Sequence, residues 1–417
     1  MSESSAPIQH ERKSVDGQLA YLRKGAAEII REEELRAKLE QCAKSGKPLR
    51  VYLGVDPTAP DIHLGHTVVI RKLKHFQDMG HIAIFLVGDF SAMIGDPTGQ
   101  SETRPPLTRE QVVANAKTYL DQVYKILDPS KTEVRYNSEW LGKMPSYDIV
   151  RLCGHYRLAR MLEREDFRSR LENNQPISVH ELLYPLLTAC DAVELRSDVE
   201  LGATEQKFNI LIHRDIQREY GLSPQVVFTM PILVGLDGVK KMSKSLGNYI
   251  GISESPKEMF GKLMSIPDGL MWSYYELLTD FEERVIVRLK EEVRTGALHP
   301  MDAKMQLAHT IIASFHGEEE ARGARQEFQR IFRDRQAPED APLKKLPRGG
   351  PKRVSVLLVD LNLVSSRAEA ERLIKQGGLE IDGRRVDDVK HEIDLSKDGS
   401  SFLIRAGKKR FLRVMVE

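Results

Sequence analysis

The sequence predicts an α/β protein in three parts: a parallel-sheet domain, an all-helical segment, and a small α/β module at the carboxyl end. Three observations predict this. Val51-Tyr52-Leu53-Gly54-Val55 and Ile82–Val87 are short apolar runs on either side of an amphipathic stretch, and strand, loop, helix, strand in about forty residues is the pattern of a parallel sheet. From about Ser255 to Arg335 the periodicity is helical and the surface charged. Pro338–Pro351 is rich in Pro, Lys and Gly and reads as a linker, and residues 352–417 beyond it carry strand, helix and turn signals of their own. The expected boundaries are 1–254, 255–337, a linker 338–351, and 352–417.

The 417 residues can bury two or three cores. With 41% hydrophobic and 29% charged residues and no apolar run long enough to span a bilayer, the composition is that of a soluble protein. Met1-Ser2-Glu3-Ser4-Ser5 lacks the basic and apolar regions of a secretory signal. Cys42, Cys153 and Cys190 form no Cys-x-x-Cys pair, which argues against a zinc ribbon or disulfide scaffold and suits the reducing cytoplasm. A net charge of +1 means that any nucleic-acid binding must come from local patches.

In order along the chain, Ala20–Ile30 and Glu32–Cys42 have helical amphipathic spacing. The strand Val51–Val55 ends at Asp56-Pro57-Thr58-Ala59-Pro60, and a helix is expected from about Ile62 to Met79. Ligands of parallel sheets bind beyond the carboxyl ends of the strands, where Asp56 and the Gly88–Gly99 loop sit. Residues 106–217 read as mostly helical, and Val226–Val234 as a strand.

Two motifs carry the chemistry. His63-Leu64-Gly65-His66 opens a helix, so its imidazoles, three residues apart, share a face beside amides that favour phosphate. Alone, such a pair also fits a surface patch or half of a metal site. Lys241-Met242-Ser243-Lys244-Ser245 follows a strand and the turn Asp237-Gly238. A mobile loop with two lysines can close over pyrophosphate and stabilise charge without a covalent enzyme intermediate. No P-loop motif and no Gly-x-Ser-x-Gly elbow is present.

Together the two motifs resemble class I aminoacyl-tRNA synthetases. The flanks Tyr52–Thr58, Ile94-Gly95-Asp96-Pro97-Thr98-Gly99, and Tyr184 followed by Asp191 are similar to bacterial tyrosyl-tRNA synthetases with a full Lys-Met-Ser-Lys-Ser loop. The resemblance runs from about residue 20 to the end. It implies a Rossmann-type catalytic domain with an amino-terminal helical extension, a helical anticodon-binding domain, and an S4-like RNA-binding module. It further implies a homodimer that takes L-tyrosine, ATP and tRNA(Tyr), with magnesium carried by ATP and no protein-bound metal.

The resemblance also assigns roles. His63, His66, Lys241 and Lys244 would be catalytic. Gly54, Asp56, Thr58, Gly202, Glu205 and Ser245 would join them around ATP. Tyr52 and Asp191 would read the tyrosine phenol, Asp96 and Tyr184 would hold its ammonium group, and Thr188 and Gln206 would complete the amino-acid site. Where the family usually has Gln, an aromatic residue and Gly-Gly-Ser/Thr-Asp-Gln, this chain has Thr188, Cys190 and Gly202-Ala203-Thr204-Glu205-Gln206. These departures fit either altered substrate geometry or lineage drift with water replacing the glutamine.

Arg322, Arg325, Arg330, Arg333 and Arg335 could form a basic helical face for RNA backbone, or a solvated one. Farther on, Asn362–Ile374 reads as a capped helix, followed by the turn Gly377-Gly378 and a strand. This resembles the fold shared with ribosomal protein S4. From Arg348 onward there are fifteen basic and eleven acidic residues, and Arg367, Arg372, Lys375, Arg384 and Arg385 are the expected phosphate-contacting patch. The expected activity is tyrosine–tRNA ligation. The alternatives are a paralogue with altered aromatic specificity or inhibitor tolerance, and a non-catalytic RNA-binding descendant.

Overall fold

The computed structural model describes residues 14–58, 61–96, 107–332, 341–407 and 410–417. They divide into two compact units, one ending at Ala321 and one beginning at Arg322. Ala59-Pro60, Pro97-Thr98-Gly99, Arg333, Arg335 and Pro338, all drawn on in the sequence reading, lie outside the described residues.

Six strands of the first unit make one sheet: β1 Glu28–Ile30, β2 Arg50–Val55, β3 Ile82–Val87, β4 Thr132–Tyr136, β5 Val199–Ala203 and β6 Val226–Met230. Their spatial order is β1-β6-β5-β2-β3-β4. Strands β2 to β6 run parallel, and β1 closes one edge antiparallel to β6. From β2 the chain builds outward through β3 and β4, then returns to the other side of β2 with β5 and β6. The order therefore reverses between β2 and β5, where Tyr52 lies opposite Glu200.

Helices cover both faces, as a buried parallel sheet requires. On one face the helix Leu64–Asp78 buries Val68, Leu73 and Phe76, and Phe76 meets Phe228 of β6 edge-on at 5.9 Å. On the other, Tyr52, Ile84 and Leu86 pack against Ala192 and Leu195 of the helix Val179–Leu195. The helix Lys207–Glu219 lies beside that one and buries Ile210, Ile212 and Ile216. Helices Pro256–Ser265, Met271–Leu278, Glu283–Thr295 and Pro300–His316 continue the same compact unit. Tyr274 Oη donates to the Val234 carbonyl at 2.8 Å, anchoring the base of the Lys241–Ser245 loop to the helical segment.

Several elements differ from the expectation. The helix read over Ala20–Ile30 is Val15–Arg23, and Glu28–Ile30 is strand β1. Gly25, at φ +67°, breaks the helix, and the edge of β6 recruits the residues after it. The region 106–217 contains β4 and β5, five residues each, too short to show a period of two beside long helices. Strand β6 ends at Met230, before Pro231, which has no N–H for a ladder. The helix expected from Ile62 begins at Leu64, with His63 as its cap.

In the second unit β7 Leu343–Leu346, β8 Pro351–Arg353, β9 Leu379–Ile381, β10 Arg384–Arg385, β11 Glu392–Asp394, β12 Ser401–Ala406 and β13 Arg410–Val416 form two sheets, β10-β9-β12-β13-β7 and β11-β8. Within the segment read as a linker, β7 pairs parallel with β13, because its alternating partly buried residues complete that sheet edge. The helices Val354–Asp360 and Arg367–Lys375 bury Leu357, Leu358, Ala370 and Ile374 against Ile404 and Val414. The second helix starts five residues later than expected, because Asn362 adopts φ +58° and Ser366 is the residue that caps Glu369 N–H.

Candidate active site

The carboxyl ends of β2 and β5 splay at the reversal and open a cavity of about 230 Å³. Tyr52, Gly54, Asp56 and Thr58 reach it from β2 and its end. Tyr184, Thr188 and Asp191 reach it from one face of the helix Val179–Leu195, spaced four and three residues apart. Gly202, Ala203 and Gln206 line it from the end of β5, and Asp96 from the loop after β3. Gly54 is exposed towards the cavity, so any side chain there would take ligand space.

A hydrogen-bonded chain joins the carboxylates. Tyr184 Oη donates to Asp56 Oδ2 at 2.9 Å, and Ser91 Oγ donates to Asp56 Oδ1 at 2.6 Å. Asn137 Nδ2 donates to Ser91 Oγ at 2.9 Å and to Asp191 Oδ2 at 3.3 Å, while Trp140 Nε1 donates to Asp191 Oδ1 at 2.8 Å. Burial pushes Asp191 well above the usual carboxylate range, against the lowering effect of the Trp140 and Asn137 donors. Burial likewise raises the Tyr52 and Tyr184 phenols, with Glu200 acting on the first and Asp56 on the second. Tyr184 was expected to share the ammonium group with Asp96. In this structure its hydroxyl is bonded to Asp56, and Asp96 accepts from Gln206 Nε2 at 2.7 Å. Gln206 is in turn held by Asn209 Nδ2 at 3.1 Å.

The departures separate in space. Thr188 lines the cavity, donates to the Tyr184 carbonyl at 2.9 Å and contacts His213 Nε2 at 3.0 Å. Cys190 is two helical positions away, faces the core formed with Phe167 and Ile216, and has its thiol pushed up to about 12 by burial. It is no part of the cavity wall. Glu205 points to the Lys241–Ser245 loop and pairs with Lys241 at 2.8 Å.

Of the residues expected around ATP, Gly54, Asp56, Thr58 and Gly202 line the cavity, whereas His63, His66, Glu205, Lys241, Lys244 and Ser245 sit beyond the lining. The His63 and His66 rings stack at 3.8 Å. His63 Nδ1 accepts from Gly65 N–H, and His66 Nδ1 accepts from His63 N–H, both at 3.2 Å. Burial, with Lys244 nearby, lowers His63 to about 4 and His66 to about 3. Neutral rings whose Nδ1 atoms accept must carry their hydrogens on Nε2. Each is then a neutral donor, able to hold a phosphate oxygen at neutral pH. Lys244 Nζ donates to the Asp61 carbonyl at 2.6 Å. Ser243 Oγ and Ser245 Oγ share a bond of 2.9 Å, and Asn248 organises the loop through Ser243 N–H at 2.8 Å and Asp237 at 2.7 Å.

In the second unit Arg367, Arg372 and Lys375 are exposed on one helix, and Arg384 and Arg385 on β10. The Arg385 guanidinium occupies the space where a Cβ on Gly377 would stand, which brings β10 to the end of that helix. Among the described residues, Ser91, Asn137, Trp140, Glu200 and His213 were not anticipated. Glu200 left a trace, as a charge inside the apolar run Val199–Leu201.

Residues 44–333 match the family model described as class I tRNA synthetases (W and Y), and residues 352–398 match the S4 domain. The tyrosine–tRNA ligase of Oleidesulfovibrio alaskensis is 54% identical over 402 residues, covering 96% of this chain and 99% of that one. The chain belongs to the tyrosine–tRNA ligase family. The Aquifex aeolicus member is 52% identical, covering 95% of this chain and 98% of its own. A crystal structure of the Archaeoglobus fulgidus tyrosyl-tRNA synthetase complexed with L-tyrosine matches 75% of this chain and all of that one, with a TM-score of 0.61 and 26% identity.

Gly88 tests the carboxylate chain. A Cβ there would lie 2.0 Å from Asp56 Oδ1 and 2.4 Å from Ser91 Oγ. Gly88→Ala should break the Ser91–Asp56–Tyr184 link and lower amino-acid-dependent pyrophosphate exchange by about tenfold or more, a loss of at least about 1.4 kcal/mol in the activated complex. Exchange at the wild-type rate would mean that this link does not shape the site.

Proposed function

We propose that the chain activates L-tyrosine with ATP and transfers it to the 3′ end of tRNA(Tyr). The observation that carries this reading is the division of the site. One end is a buried phenol-and-carboxylate pocket, Tyr52 with Asp191; the other holds two neutral histidine donors and two lysines on a loop. A hydroxyl seated between Tyr52 and Asp191 satisfies buried polar groups that phenylalanine would leave unpaired, at about 1–3 kcal/mol for each lost partner. Asp96 and the Asp56–Tyr184 pair offer acceptors and negative charge to the α-ammonium group.

In the first step the tyrosine carboxylate oxygen attacks the α-phosphorus, forming the acyl–phosphate bond as the bond to pyrophosphate breaks. The Nε2 hydrogens of His63 and His66 meet the negative charge that builds on the phosphate oxygens, and Lys241 and Lys244 take the charge of the departing pyrophosphate. Lys241 must exchange Glu205 for phosphate, and Lys244 must leave the Asp61 carbonyl, so loop closure accompanies nucleotide binding. Gly54, Thr58, Gly202 and Ser245 complete the nucleotide contacts, with magnesium entering on the ATP. In the second step a ribose hydroxyl of the terminal adenosine attacks the acyl carbon, releasing AMP. No covalent enzyme intermediate is needed.

The helical segment 255–337 is assigned to the anticodon and the module 352–417 to the tRNA body, through Arg367, Arg372, Lys375, Arg384 and Arg385. The assembly is a homodimer. Its support is the exposed Tyr147, Val150, Leu158 and Val179 between residues 146 and 179, apolar groups that a second copy would cover. Sedimentation at micromolar concentration should give a dimer, and a monomer would contradict the assembly. No helix of the described residues is long and apolar enough to cross a membrane. Separately, the three free cysteines support a reducing cytoplasm as the compartment of this reaction.

Two variants separate the steps. Lys244→Ala should reduce tyrosine-dependent pyrophosphate exchange by about a hundredfold, in the range of lost oxyanion-type stabilisation. Removal of residues 352–417 should leave exchange intact while lowering tRNA charging. Full exchange in Lys244→Ala, or equal loss of exchange and charging in the truncated chain, would refute the assignments.

A further inference from the structure

Glu200 and His213 are both buried and both line the cavity, and no step above uses them. Glu200 stands beside Tyr52 in the β2–β5 register. His213 projects from the helix Lys207–Glu219, its Nδ1 lying 2.9 Å and 3.0 Å from the two Glu200 oxygens and 3.4 Å from Tyr52 Oη. Gln225 Nε2 also donates to Glu200 Oε2.

The hydrogen-bond partners of this ring suit a doubly protonated form. An Nδ1 set between two carboxylate oxygens is a donor. Nε2 lies 3.0 Å from Thr188 Oγ1, whose single hydrogen is directed to the Tyr184 carbonyl at 2.9 Å. With the hydrogen so directed, an oxygen lone pair faces Nε2 and suits a second N–H there. An imidazole that donates from both nitrogens is an imidazolium.

We propose that His213 is an imidazolium paired with Glu200, and that this pair is a specificity-determining element of the amino-acid site. It cancels a second carboxylate charge beside Asp191, so that Asp191 can remain an acceptor for the substrate hydroxyl. Carboxylates that share a small buried space resist joint ionisation, and Glu200 and Asp56 both push Asp191 towards its neutral form. Trp140 and Asn137 donate to both Asp191 oxygens, an arrangement that suits the carboxylate. With His213 as a cation the pair is neutral overall, which removes one of the charges that push Asp191 towards its neutral form. Without that cation, Asp191 is pushed further towards its neutral form and becomes a weaker acceptor for a hydroxyl. His213 thus acts through Asp191 as a positioning residue. The inference rests on the cavity being the tyrosine site.

Pyrophosphate exchange on the full-length chain tests it, with tyrosine and phenylalanine as substrates. His213→Gln keeps a donor for Glu200 but removes the cation. Its tyrosine KM should rise about tenfold, with kcat and the ATP KM within about threefold of wild type, and the tyrosine-over-phenylalanine ratio of kcat/KM should fall by about tenfold. The double variant His213→Gln with Glu200→Gln removes both charges and should restore that ratio to within about threefold. An unchanged ratio in His213→Gln overturns the proposal, and so does an equal loss in the double variant, the mark of a packing role. If His213→Gln does not fold, as read by thermal unfolding, the double variant decides by the same ratio. A wild-type protein without tyrosine-dependent exchange would overturn the tyrosine reading itself, and the proposal with it.

Discussion

The parallel pairing of β2 with β5 is the constraint on which the rest of the first unit depends. It places Val51, Tyr52 and Leu53 opposite Val199, Glu200 and Leu201, although most of the domain separates them in sequence. Because strand order reverses at this pair, the connections leaving the two strands diverge, and the gap between them becomes the cavity. A shift of one residue in this register would turn Tyr52 or Glu200 to the opposite face, under the helix Leu64–Asp78. Tyr52 would then lose its neighbours Asp191 and His213.

The second constraint is electrostatic. Asp56, Asp96, Asp191 and Glu200 all border one cavity, and each is settled by a different device. Two hydroxyl donors hold Asp56, an amide holds Asp96, an amide and an indole hold Asp191, and an imidazole holds Glu200. These fixed donors leave the pocket acidic towards an ammonium group and a hydroxyl. Beyond it, His63 and His66 are kept neutral by burial while Lys244 carries the charge. In the proposed reaction a zwitterion and a polyanion meet at this boundary, with their carboxylate and α-phosphate in contact.

How far this was legible in the sequence follows from how local each signal is. Lys241–Ser245 and His63–His66 are contiguous or nearly so, and their chemistry survives without tertiary information. Tyr52 and Asp56 were readable because a strand end in a parallel sheet is a ligand position. Tyr184, Thr188 and Asp191 share a helix face, and their spacing shows it. Glu200 and His213 were missed because their partnership depends on a strand register and a neighbouring helix, neither of which has a local signature. Cys190 was grouped with the changed pocket walls by its place next to Asp191, yet one helical step turns it into the core. Strands β4 and β5 disappeared among helices for a related reason: five residues between long amphipathic segments carry too few periods to register.

In the proposed function this cavity recognises an aromatic amino acid by its hydroxyl and activates it with ATP. Pyrophosphate exchange by the unmodified protein, run side by side with tyrosine and phenylalanine, tests it most directly. Exchange is expected with tyrosine, with a kcat/KM for phenylalanine lower by about a hundredfold or more, the effect of leaving two buried polar groups without partners. Comparable exchange with both amino acids, or exchange with neither, would contradict it.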